Sequence, residues 1–253
     1  MGISMLGMKI LSAFAILLMT LTAGGYPFLK RLKTNQHHDF PIGEALACGV
    51  FLGAGLLHML ADSASQFAEL QFHYPIAFLL SAITFLFLLW LEHLSRDFYA
   101  HQGSQSPAFA LLAVVMLSIH ALLAGAALGL SNNLTIFFVI LFAILAHKWA
   151  ESFALAIQIN KSDLRIKSGV IFFAIFSTMT PLGIFLGSSV NASMGSFPLL
   201  SPIFTALASG TFLYLGTLHG LSQAVMIKEC CNLKHYTFVI IGFSIMAVVA
   251  IWT

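Results

Sequence analysis

The chain has 253 residues, of which 59% are hydrophobic and 8% charged, with a formal net charge of +2. A typical soluble domain carries roughly 25% charged residues, and no water-soluble chain of this length could bury so much apolar surface. A water-soluble globular protein is therefore excluded, the lipid bilayer is the solvent, and no nucleic-acid partner is expected.

A spanning helix needs about 20 mostly apolar residues to cross a hydrocarbon core of about 30 Å. Eight stretches qualify, at approximately 5–29, 40–62, 75–94, 108–131, 134–158, 169–189, 202–226 and 235–252. Almost nothing is left over, so residues 1–253 are expected to form one transmembrane domain, an all-α eight-helix bundle. The first stretch is too long for the apolar core of a signal peptide, and basic residues follow it rather than precede it, so it reads as a retained helix. Lys9 sits near its outer end and can snorkel. His37, His38 and Asp39 then form a small polar cluster that reads as a solvated linker, with a weak cytoplasmic metal-binding site as the alternative.

The second stretch holds Glu44 near one end and His58 and Asp62 toward the other, with Gly49 and Gly53 in the small-xxx-small spacing that lets helix backbones approach. Glu92 and His93 end the third stretch, within reach of the interface. The fourth carries His120 together with Gly125 and Gly129. The fifth reads His147-Lys148-Trp149-Ala150-Glu151, placing a histidine and a glutamate four residues apart on one helix face. Pro181 should bend the sixth, and the seventh contains His219. Of three cysteines, Cys48 lies in a helix, and the adjacent Cys230 and Cys231 lie in a short loop with no spacing of a disulfide framework.

The basic residues give an orientation. Lys30, Arg31 and Lys33 follow the first stretch, Arg96 the third, Lys161, Arg165 and Lys167 the fifth, and Lys228 and Lys234 the seventh. The even-numbered connections carry no lysine or arginine. By the positive-inside rule the odd connections face the cytoplasm, which leaves both termini outside.

Ionisable groups at membrane depth cost roughly 2.5–3.5 kcal/mol each on insertion scales and usually mark a pathway or a site. At a rise of 1.5 Å per residue, His120 lies about 18 Å from the inner end of its helix and His147 about 16 Å from the inner end of the next. The short connection around Ser131–Asn133 makes these helices antiparallel neighbours. Two imidazoles at one depth, with Glu151 on the same face as His147, offer the nitrogen and oxygen donors that suit zinc, iron or manganese. An interhelical hydrogen-bond network is the plainer alternative.

These segments resemble the Zrt/Irt-like protein (ZIP) family of metal transporters over essentially the whole chain. GVFLGAGLLHMLADS is similar to the family's second helix, SIHALLAGAALGL follows the pattern H-[SN]-x-x-E-G-x-A-L-G, and HKWAESFALA follows H-[KE]-x-x-E-x-x-A-L. TPLGIFLG and SGTFLYLGTLHGL resemble the sixth and seventh helices. The resemblance implies uptake of divalent metal into the cytoplasm, the ion being cargo rather than cofactor, with His120, His147 and Glu151 as ligands. It also implies His58 and Asp62 on the outer approach and movement of two helix bundles past each other, while His219 either receives the ion on its way out or is a packed, hydrogen-bonded histidine.

Two departures stand out. Ala121 and Ala124 occupy positions where the family places a polar residue and a glutamate, and Lys148 stands where a second cation's ligand is expected. A fixed ammonium there repels a second ion, so a single-metal site is expected. The alternative is a degenerate relative with a sensing or structural role and little transport. Histidine ligands must be neutral, so transport is expected to fall below about pH 6. An intramembrane metalloprotease is the enzymatic rival, and it is disfavoured because H-E-x-x-H is absent and Lys148 replaces its general base. The expected setting is a plasma (inner) membrane, and a homodimer is compatible with it.

Overall fold

The computed structural model describes residues 4–34, 40–99, 107–193, 198–218 and 233–252. The His37-His38-Asp39 cluster, His219 and the Cys230–Cys231 pair lie outside them. Eight helical rods and no strand are found among the described residues. They are α1 (Met5–Thr34), α2 (Pro41–Glu69), α3 (Ile76–Tyr99), α4 (Pro107–Leu130), α5 (Leu134–Lys161), α6 (Ile166–Ser193), α7 (Leu200–Tyr214, continuing with π-helical turns to residue 218) and α8 (Leu233–Val249). Six of them are long and apolar enough to cross a membrane.

Pro41 opens α2, where its missing N–H is no loss. The rod passes through a π-helical segment, Ala54–Leu60, and runs seven residues beyond the apolar stretch. That extension is polar, but it is anchored: Ser63 donates to the Pro202 carbonyl at 2.7 Å, and Phe67 is buried. It ends in a Schellman motif with Gln71 at φ 63° in the left-handed position. Phe72 N–H donates to the Phe67 carbonyl, and the two rings pack edge to face at 5.8 Å, the hydrophobic contact this motif favours. Asn133 caps α5 by accepting from the N–H groups of Thr135 and Ile136, which fixes the tight turn out of α4. Pro181 is contained within the continuous α6. Lys9 does not reach for water. It is 5% exposed and donates to the Gly129 carbonyl, where an ammonium meets the negative end of α4.

The helices pack as two groups. α1, α4, α5 and α6 form one, and α2, α3, α7 and α8 the other, with α5 lying against α2 and α8, and α4 against α7. Within each group glycine lets two backbones touch. A Cβ at Gly125 or Gly183 would strike the carbonyl of Thr180 or Leu122 across the α4–α6 seam, and one at Gly49 or Gly242 would strike Val239 or Leu46 between α2 and α8. With no hydrophobic drive between helices in lipid, such close approach is the main source of association.

Gly183→Leu is expected to lower stability by about 1–3 kcal/mol, the usual penalty of overpacking. Thermal unfolding in detergent measures it, with Gly25→Ala as the unaffected control, because nothing lies within 4 Å of a Cβ there.

Candidate metal centre

α5 supplies most of the site. One helical turn separates His147 from Glu151, and the Asn133-capped turn brings α4 back antiparallel so that His120 faces them. The two imidazole rings lie 5.9 Å apart. His120 Nε2 is 3.1 Å and His147 Nε2 3.4 Å from the same carboxylate oxygen, Glu151 Oε1. One donor atom from each residue falls within 4.8 Å of the other two. A tetrahedral ion with bonds of about 2.1 Å spaces its ligand atoms about 3.4 Å apart, so these separations suit one small cation. All three residues are buried, Glu151 completely. Neither Nε2 atom nor Oε1 makes a hydrogen bond of good geometry among the described residues.

The other carboxylate oxygen is engaged. Lys148 Nζ donates to Glu151 Oε2 at 2.8 Å and lies 4.4 Å from the centre of the Phe176 ring on α6. The ammonium is 1% exposed as a residue and is held by a charge on one side and a π face on the other. Ala121 and Ala124 sit among apolar side chains, Ala121 in the main core and Ala124 against the cluster of Ile16, Leu128 and Ile144.

The second group contributes the walls. Phe212 of α7 is fully buried, with its ring 4.7 Å from that of His120 and 5.5 Å from that of His147, and Phe51 of α2 packs behind it at 5.0 Å. His58 sits in the π-helical segment, its ring 6.3 Å from His147, and pairs with Asp62 at 3.1 Å. The His58 and Asp62 side chains are 15% and 29% exposed, against 7% or less for those of His120, His147 and Glu151. Ser209 donates to the Gly55 carbonyl, tying the π-helical segment to α7. Such segments are frequent at functional sites. Sequence reasoning missed Phe212, Phe176 and the π-helical turn. The G-T-F-L-Y motif flagged the region of Phe212, whereas nothing in AGLLHML signals a change of helical register.

The fold and this cluster define a class, a multi-pass integral membrane protein with histidine and carboxylate donors gathered inside its helices. The model of the ZIP zinc transporter family matches residues 6–108 and 100–250, and the chain belongs to that family. It is 28% identical to the mouse "Zinc transporter ZIP2" (Mus musculus) over 98% of this chain and 99% of that protein. The human (Homo sapiens) protein of the same name is 25% identical over the same shares. It is 33% identical to the "Zinc transporter ZIP1" of Takifugu rubripes over 62% of this chain and 50% of that one. The family is one of transporters, a class distinct from enzymes, in which the metal is substrate and not cofactor. Its two matched segments overlap at residues 100–108, which run from the end of α3 into the first turn of α4.

Removing one partner of a buried ion pair costs roughly 3–5 kcal/mol, because the other charge is left uncompensated. Lys148→Met is therefore expected to destabilise the metal-free protein and to show a larger zinc-induced rise in melting temperature than wild type. Thermal unfolding with and without zinc checks this, and equal rises in the two proteins would contradict it.

Proposed function

We propose that this protein carries divalent transition-metal ions, zinc first among them and iron or manganese as competitors, into the cytoplasm through His120, His147 and Glu151. The observation that carries the reading is the convergence of three buried donor atoms from two adjacent helices at separations that suit one ion. Two imidazoles and one carboxylate, completed by water, hold an ion firmly enough to strip part of its hydration and weakly enough to release it. His58 and Asp62 receive the ion from outside, and the family resemblance gives His219 the task of passing it toward the cytoplasm.

Lys148 acts as the resident charge of what is a second metal position elsewhere in the family, so one ion binds per chain. A doubly charged ion beside an ammonium in a medium of low polarity is repelled strongly, which disfavours a second ion. Both termini lie outside, as the basic connections argue, and the whole chain works as one transmembrane domain in a plasma (inner) membrane.

Transport requires the ion to meet each side in turn. The two helix groups supply the means, since the donors sit on α4 and α5 while Phe212, Phe51 and His58 belong to the opposite group. One observation favours the rival reading of a relative that has lost transport: Lys148 already occupies Glu151 Oε2. Uptake of radiolabelled zinc into proteoliposomes separates the two. Wild type is expected to show saturable uptake that His147→Ala, Glu151→Ala abolishes, with iron, manganese and cadmium ranked by competition. Absence of uptake by folded wild type across metals would support the degenerate relative. Zinc titration is expected to give one tight ion per chain, and two tight ions would sink the single-site assignment.

A further inference from the structure

The inner end of the interface between the two helix groups carries a cluster that the ion site does not use. Lys161, in the last turn of α5, donates to both carboxylate oxygens of Glu44, in the first turn of α2, at 2.7 Å each. The pairing is bidentate, and each charge stands at the helix end that favours it, an acid at an N-terminus and a base at a C-terminus. The side chains are only 18% and 19% exposed. Glu44 Oε1 also accepts from the Phe40 N–H, which ties the ion pair to the start of α2. Phe40 itself is clamped by the opposite group: Tyr26 and Phe153 pack edge to face on it at 5.7 Å, and Lys30 Nζ lies 4.7 Å from its ring centre. Gly43 completes the seam, because a Cβ there would run into the Phe153 ring.

Among the described residues, Glu44–Lys161 is the ion pair that joins the two groups. It lies ten residues, about 15 Å of helix, from Glu151 along α5. On the opposite side of the ion site, His58 and Asp62 are partly open to solvent. The two helix groups are thus tied to each other by charge at the basic end.

We propose that Glu44 and Lys161, with Phe40 seated between Tyr26 and Phe153, form a latch that keeps the inner side closed and must part for an ion to leave. The latch rests on the transport reading for its purpose, but its opening can be read without any metal.

Cys48 is the probe. It lies one turn beyond Glu44 on the same face of α2 and is 3% exposed, so parting of the seam uncovers it. In a Cys230→Ser, Cys231→Ser background, the rate of N-ethylmaleimide reaction in detergent reports the open population. Glu44→Gln and Lys161→Met are each expected to raise that rate about fivefold, a change of roughly 1 kcal/mol in the opening equilibrium. The exchanged pair Glu44→Lys, Lys161→Glu should return it toward the parent value. Unchanged labelling in both single variants overturns the latch. Where a single variant fails to fold, the exchanged pair decides: protection of Cys48 supports the latch, and labelling well above the parent overturns it. A failed labelling test leaves the ion site untouched, and failed zinc uptake leaves the labelling result intact.

Discussion

Glu151 has no exposed surface, and a carboxylate so placed must be compensated from within the protein. Its two oxygens divide that task. Oε2 takes the Lys148 ammonium, while Oε1 faces the Nε2 atoms of His120 and His147. Much of the surrounding architecture serves this arrangement. The Asn133 cap sets the α4–α5 turn that delivers His120, Phe176 supports the ammonium from α6, and Phe212 shields both imidazoles from the opposite helix group. The glycine contacts between α4 and α6 hold the backbone that carries His120 close to the one that carries Phe176.

Charge separates this cluster from one built only of anions. A carboxylate already paired with an ammonium contributes little net negative charge, so an incoming ion gains more from the imidazole lone pairs than from bulk attraction. Ala121 and Ala124 add no donor, and their surroundings are aliphatic. Such a centre favours ions that bind nitrogen well, which is why zinc stands first among the substrates proposed.

The spans were legible because a mean hydropathy of +0.96 leaves long apolar runs that nothing but a bilayer explains. The meeting of His120 and His147 was legible too, since helical rise and a three-residue connection fix both depth and neighbourhood. The end of α2 was not: ADSASQFAE is polar by composition, and it stays helical because Ser63 and Phe67 find partners on other parts of the chain and because Gln71 takes a left-handed turn. Nor could the pattern give Phe212 over the imidazoles or Glu44 against Lys161. Both contacts join helices distant in sequence, and helices that are apolar all round give no stripe from which their rotation can be read.

The proposed centre holds one ion among two imidazoles and one carboxylate. X-ray absorption at the zinc edge of the zinc-loaded wild type tests it most directly. Nitrogen and oxygen neighbours are expected at about 2.0–2.2 Å, with outer-shell scattering from two imidazoles and loss of one imidazole in His120→Ala. Sulfur in the first shell, a zinc–zinc vector, or an unchanged spectrum in His120→Ala would contradict it.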